Sequence, residues 1–468
     1  MKTVRPATGA SSSALRLFVM RLHFYAGLFI GPFIFVAALS GTLYVLTPQI
    51  EDVLYREQLL SKTAGTPQPL AVQIQSARSA VGEGPRLFAV RPAAGDGQAT
   101  RVMFTQTGLG DSENRAIFID PVSLAVQGDL VVYGTSGILP FRTALDYLHR
   151  NLLLGDLGRN YSELAASWLW VAVLGGVLLW FWQKRTPKSA SARGASARRL
   201  HTTIGLWISV GLLFLSATGL TWSRWAGDNI DRFRTEAGWI TPSVSLDLGG
   251  GNAAAGGEHA EHQGHGGTTA PSSAPLMSEA ELAARTDEVL AVARAGGIDS
   301  PMVEIRPPRA AGKAWMVREY DRRWPTQVDT IAIDPDTMAI TSRADFETFP
   351  IVAKLIRWGI DAHMGILFGM ANQIVMAALG IALMVAIVYG YRIWWLRRPS
   401  PGNAQRTLIK AWSYLSVRAK LLSVIAAIAL GWALPLMGAS LAAFVCIDLV
   451  RWGLTGLWEN PGKGEKPA

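Results

Sequence analysis

Seven histidines occur in 468 residues, and four of them, His23, His149, His201 and His363, are set apart by their surroundings. Imidazole nitrogens are common transition-metal ligands. A protein zinc or copper site draws further ligands from Cys, Asp or Glu. Near His23 and His201 there are none, only Arg21, Arg198 and Arg199, whose charge repels a free cation. A haem iron needs just two axial ligands from the protein. The same arginines suit its propionates through charge-assisted hydrogen bonds. Gly27 and Gly205 lie four residues after their histidines, on the same helical face, where a missing side chain leaves room for a flat macrocycle. No C-x-x-C-H occurs, so the expected group is a non-covalent, b-type haem. Two blander readings stand beside it: interfacial histidines at helix ends and a proton relay.

The elements that must position these residues are duplicated. Leu22-His23-Phe24-Tyr25-Ala26-Gly27-Leu28 returns as Leu200-His201-Thr202-Thr203-Ile204-Gly205-Leu206. Each histidine is followed 18 residues later by a glycine after a small hydroxyl residue, Ser40-Gly41 and Thr218-Gly219. Ile119-Asp120-Pro121-Val122-Ser123 matches Ile333-Asp334-Pro335-Asp336-Thr337, and His149 and His363 each lie 29 residues after the aspartate. The interval His23–His149 is 126 residues and His201–His363 is 162. A Gly/Ala/His-rich insert near 248–275, whose composition cannot form a core, explains the excess of 36. Its His259, His262 and His265 could bind a metal loosely, but a solvated linker is the simpler reading.

Half of the residues are hydrophobic and 17% are charged, which points to a membrane protein. Apolar stretches at 24–46, 164–182, 202–222, 370–391 and 421–455, the last a hairpin turning at Leu436–Gly438, give about six spans. Basic residues set the orientation. Residues 1–22, 183–200 and 392–420 carry four, six and seven Lys/Arg and no acid, whereas 49–163 and 224–368 carry 12 and 20 acids. The net charge of +9 is therefore a topology signal, and nucleic acid is excluded as a partner.

The expected plan is an α-helical polytopic membrane protein with internal duplication and two small α+β periplasmic domains. The cytoplasmic N-terminus and first span cover 1–46, and the first periplasmic domain 47–163. A span at 164–182, a basic linker at 183–201 and a span at 202–222 follow. The second periplasmic domain, 223–369, carries the insert. After it come a span at 370–391, a basic linker at 392–420, the hairpin at 421–455 and a cytoplasmic tail at 456–468. The first span lacks a cleavage site and continues into Pro48 and Glu51, so it is not a removable signal. Within the periplasmic parts, helices are predicted over 71–81 and 278–295. Strands are predicted over 87–90, 101–105, 116–120, 302–305, 314–317 and 330–334. The lone Cys446 excludes an intrachain disulfide or cysteine-ligated cluster.

Depth pairs the histidines. From His23 to Gly41 a helix rises about 27 Å at about 1.5 Å per residue. His23 therefore meets only His201 at its depth, and His149 only His363.

With these motifs the chain resembles the PepSY-associated transmembrane family, over roughly residues 15–400. The resemblance rests on L-H-x-x-x-G-L, the S-G or T-G after it, and the I-D-P-x-[ST] turn before the next histidine. It implies PepSY-like periplasmic domains, two bis-histidine b haems and reduction of siderophore-bound Fe(III) in the periplasm. His23 and His201 would ligate the cytoplasmic-side haem, and His149 and His363 the periplasmic-side one. The chain carries no nucleotide-binding signature, so the electron donor is a quinol or a cytoplasmic reductase. Arg142, Arg150, Arg357 and Trp358 are candidate neighbours of propionate or chelate, with Tyr147 and Met364 beside the ligands; no catalytic residue is assigned. Two other readings are a non-enzymatic PepSY binding or sensing protein and a quinol-linked cytochrome b serving a protein partner.

Overall fold

A computed structural model describes residues 8–183, 194–249, 277–397 and 407–458. The histidines of the insert and most of the 183–201 linker lie outside the described residues. The chain begins with α1 (Thr8–Tyr25), a π-helical turn (Ala26–Ile30) and α2 (Gly31–Val45), then α3 (Thr47–Leu54), α4 (Arg56–Leu59) and α5 (Leu70–Val81). Strands β1 (Arg86–Arg91), β2 (Thr100–Thr105), β3 (Glu113–Ile119) and β4 (Val126–Tyr133) follow. Next are α6 (Pro140–Asn151), α7 (Gly155–Phe181), α8 (Ala195–Thr221), α9 (Trp225–Glu236) and α10 (Glu279–Ala295). The second set of strands is β5 (Val303–Arg306), β6 (Trp315–Glu319), β7 (Thr330–Ile333) and β8 (Ile340–Ala344). Helices α11 (Ile351–His363), α12 (Gly369–Arg397), α13 (Leu408–Ser413), α14 (Val417–Ala433) and α15 (Pro435–Trp458) complete it.

Two compact units result. One comprises Met1–Leu43, Tyr147–Phe233 and Val375–Ala468; the other comprises Tyr44–Asp146 and Arg234–Ile374.

The first unit is helical. Among the described residues four helical stretches are long and apolar enough to cross a membrane: Ser13–Val45, Gly155–Phe181, Ala195–Thr221 and Gly369–Arg397. The protein is thus a multi-pass membrane protein with four candidate spans, where the sequence suggested about six. The 17 residues of α14 fall short of the ~20 that a ~30 Å hydrocarbon core requires. The break between α14 and α15 lies at Leu434, not at Leu436–Gly438. Pro435 opens α15 and pushes the residue before it out of helical geometry, to φ −124° and ψ 78°. The hairpin is docked on the bundle: Leu434 and Met437 join a core with Ile30, Ile34, Trp168, Leu169, Ile208 and Leu212. The Trp168 indole donates to Ser440 Oγ at 2.9 Å.

The second unit replaces the two separate periplasmic domains expected from the duplication with one eight-stranded antiparallel sheet, ordered β4-β3-β2-β1-β5-β6-β7-β8. The repeats join at their first strands, where Val90 faces Ile305. Pairing removes two exposed strand edges, each a row of unsatisfied backbone groups. Helices α5 and α10 cover one face, and Ile74, Ala77, Val90, Val289, Ile305 and Trp315 share a single core. Asp287 of α10 accepts the Leu70 and Ala71 amides that open α5, at 2.8 and 3.0 Å. The repeated aspartates make equivalent turns. Asp120 Oδ1 accepts the Val122 and Ser123 amides, and Asp334 Oδ1 those of Asp336 and Thr337. The sequence does not predict strands β4 and β8 beyond these turns, because few of their residues are buried and they lack a clean alternation.

Candidate functional site

His23 lies in the last turn of α1 and His201 in the second turn of α8. Their ring centroids are 6.2 Å apart with planes at 72°. His23 Nδ1 is 2.8 Å from the Ala172 carbonyl oxygen on α7, and His201 Nδ1 is 2.8 Å from that of Ala386 on α12. A carbonyl only accepts, so Nδ1–H donates in both rings, and a neutral imidazole then carries its lone pair on Nε2. Fixing one ring nitrogen by a backbone carbonyl is how ligating histidines are oriented.

Glycines seat both rings. A Cβ on Gly175 would lie 3.3 Å from His23 Cβ, one on Gly176 3.3 Å from His23 Cε1, and one on Gly390 3.5 Å from His201 Cε1. None of these residues stood out in the sequence, yet the spacing was there. Ala172-x-x-x-Gly176 and Ala386-x-x-x-Gly390 both begin 23 residues after the second histidine of their repeat.

Over Gly27 and Gly205 an added Cβ would meet nothing within 4 Å, so open space adjoins both helices one turn beyond their histidines. Gly27 falls within the π-helical turn, whereas α8 runs unbroken through Gly205. The Tyr391 hydroxyl donates to the Leu28 carbonyl of that turn at 2.7 Å, an approach that Gly31 permits. Arg21 is half-buried two residues before His23, and Arg199 is exposed two before His201. No group of three or more His, Cys, Asp or Glu able to hold a metal occurs among the described residues. His23 and His201 could hold a haem, which needs only two ligands from the protein. Imidazoles on either side of one metal, with metal–nitrogen bonds of about 2 Å, would have ring centroids about 6 Å apart.

His149, near the end of α6, belongs to the helical unit. Its Nδ1 is 3.1 Å from Ser40 Oγ, whose own proton goes to the Val36 carbonyl at 2.7 Å. Ser40 therefore accepts from Nδ1–H, which again leaves Nε2 as the lone-pair nitrogen. A Cβ on Gly41 would lie 3.1 Å from His149 Cε1. The Ser-Gly pair noticed only as a repeat marker is thus the seat of this ring. Tyr161 donates to the His149 carbonyl at 2.7 Å.

His363 ends α11 in the sheet-containing unit. Two residues before it, Asp361 is fully buried, ion-paired with Arg322 and 3.8 Å from Arg357 Nε. Burial pushes its carboxyl up, against the pull of both arginines. Arg357, expected beside a chelate, is thus directed at Asp361. Arg322 Nη2 also reaches Met364 Sδ at 3.7 Å. Arg142 donates its amide to Glu51 and lies over the Tyr44 ring. Arg150 lies over Tyr147, and Trp358 donates to Thr326 Oγ1 while packing on Trp324. Asp361 and Arg322 carry no repeat signature, so sequence reasoning missed them.

Residues 20–397 match the protein family described as PepSY-associated TM region. No curated protein matches the sequence.

Proposed function

We take as premise that the chain belongs to the PepSY-associated TM region family, and we propose that it is a b-type di-haem oxidoreductase of the inner membrane that reduces siderophore-bound Fe(III) in the periplasm. The observation that carries the reading is the His23–His201 pair, with both Nδ1 atoms held by carbonyls and centroids 6.2 Å apart. His23 and His201 would hold the inner haem, and His149 would serve the outer one. Bound haem supplies reversible one-electron iron chemistry.

The protein's own residues set the conditions for it. The Ala172 and Ala386 carbonyls fix ring orientation and raise the basicity of Nε2. With two imidazoles holding it, a haem would be suited to electron transfer more than to oxygen binding. The open space at Gly27 and Gly205 would leave room for a macrocycle, and Arg21 and Arg199 stand on the same helices, where they could meet its propionates.

The substrate chemistry is a one-electron step. Siderophores hold Fe(III) through hard anionic oxygens, which bind the less charged Fe(II) more weakly. The iron gains one electron, no covalent bond forms, and Fe(II) leaves the chelate. The electron comes from a quinol or a cytoplasmic reductase.

A reduced-minus-oxidised spectrum of protein from haem-replete cells should show b-type α-bands. Anaerobic mixing of the reduced protein with a ferric siderophore should then reoxidise it. Absence of the bands leaves the non-enzymatic binding or sensing reading. Bands without reoxidation by any ferric chelate leave a quinol-linked cytochrome that serves a protein partner.

A further inference from the structure

We propose that the sheet-containing unit carries a binding site for a carboxylate-rich anion, built on the sheet face opposite α5 and α10 and bounded by Arg306 and Arg309. In its consequence for substrate, that the ferric chelate taken is one with carboxylate groups, it rests on the reductase reading above; the anion site itself does not.

Strand register places the charges. Val90 and Ile305 face each other in the helix-covered core, so Arg91, Glu304 and Arg306 project to the other face. Arg91 pairs directly with Arg101 across β1 and β2, and Glu304 with Arg318 across β5 and β6. Like charges directly opposite in a sheet are destabilising. Here they sit near the centre of an eight-stranded sheet.

Glu304 is 1% exposed, and its two oxygens hold three guanidinium groups. Arg91 binds one oxygen through Nε at 2.7 Å and Nη2 at 2.5 Å. Arg306 Nε at 2.7 Å and Arg318 Nη2 at 2.9 Å bind the other. The loop after β4 satisfies further donors with backbone carbonyls: Thr135 accepts from Arg91 and Arg318, Ser136 from Arg91, and Gly137 from Arg101. Gly137 has φ +57°, and a Cβ there would lie 2.8 Å from Arg91 Nη1, so only glycine lets the loop close over the arginines.

Carbonyls satisfy hydrogen bonds but cancel no charge. Five guanidiniums gather around Glu304: Arg101 feels Arg91, and Arg306 feels Arg318 and Arg309, while Glu51 is a second carboxylate acting on Arg101. Partly buried charge without a counter-ion is unfavourable. The unspent donors lie on one side of the cluster. Arg306 uses only Nε, and Arg309 has no hydrogen bond or ion pair among the described residues; both guanidiniums flank the Phe88 ring at 5.0 Å. Burial holds Arg306 down to about 10, whereas Arg309 stands exposed at the edge of the cluster. Two forked guanidiniums with free Nη groups over an apolar floor match a pair of carboxylates.

The test is calorimetric titration of the full-length protein in detergent with citrate and with Fe(III)-citrate. Saturable binding is expected, weakened by high salt. Arg309→Ala should weaken it by about tenfold, the loss of one charged hydrogen-bond partner, and Arg309→Lys should restore part of it. Arg309 packs on little, and unchanged thermal melting will show that the variants fold. No saturable binding of either anion, or equal binding by wild type and Arg309→Ala, overturns the proposal. Haem spectra of the same samples separate the two readings. Anion binding without haem bands supports the site and refutes the reductase; haem bands without anion binding refute the site alone.

Discussion

The imidazoles of His23 and His201, 178 residues apart in the chain, lie 6.2 Å apart at 72°. Each donates its Nδ1 proton to an alanine carbonyl on the span that follows the second histidine of its own repeat. Duplication has placed one arrangement twice, and the two rings meet. The predictions below follow from that pair and from the ionic networks that tie each unit together.

If the pair shares one iron, His23→Ala and His201→Ala should remove the same haem, leaving about half of the total and identical residual spectra. His149→Ala should remove the other. Pyridine haemochrome quantification with redox difference spectra checks this. Loss of the same haem from His23→Ala and His149→Ala would contradict pairing by depth.

The glycine seats should be stringent. A Cβ at Gly390 is an ordinary 3.5 Å contact with His201 Cε1, so Gly390→Ala should retain haem, whereas the added methyls of Gly390→Val should turn the ring and expel it. Gly176→Ala, at 3.3 Å from His23 Cε1, should already loosen the inner haem. The low-spin absorption and electron paramagnetic resonance signals read both effects.

Removing the charge of Glu304 strands three guanidiniums in a buried site. Glu304→Gln should cost about 3–5 kcal/mol in stability, the range for a broken buried pair, measured by denaturant unfolding of the sheet-containing unit within the whole protein. Although burial pushes its carboxyl up, Arg306, Arg318 and Arg91 hold it well below its ordinary value of 4.5. A depressed carboxylate contributes stability that is present above its unfolded-state value and lost as the pH falls through the folded one. The wild-type contribution should therefore be complete at neutral pH and decline progressively below about pH 4.5, whereas Glu304→Gln should lack that component.

Asp448 is buried in α15, accepting the Tyr25 hydroxyl at 2.6 Å and the Ile409 amide at 2.8 Å. Asp448→Leu leaves both donors unsatisfied, at about 1–3 kcal/mol each. The terminal hairpin should then become protease-sensitive and the melting temperature should fall. Asp448→Asn, which keeps an acceptor, should lose less.

The sequence by itself determined the duplication, the four long apolar stretches, six of the eight strands and the positions of His23, His149, His201 and His363. These are written in local periodicity, in spacing and in residues whose chemistry is visible in their names. It also read Ile-Asp-Pro as a turn, and placed Ser40-Gly41 as a marker without saying that the pair seats a ring. Only the tertiary structure decided that Val90 meets Ile305, so that two repeats form one sheet, because strand partners are chosen by hydrogen bonds and core packing far apart in the chain. It likewise placed Arg91 against Glu304, and turned the hairpin at Leu434, where the ring of Pro435 overrides an apolar pattern that runs straight through. Gly175, Gly176 and Gly390 were illegible for the plainest reason. A glycine acts through the space it leaves, and which side chain fills that space is settled only when another helix arrives.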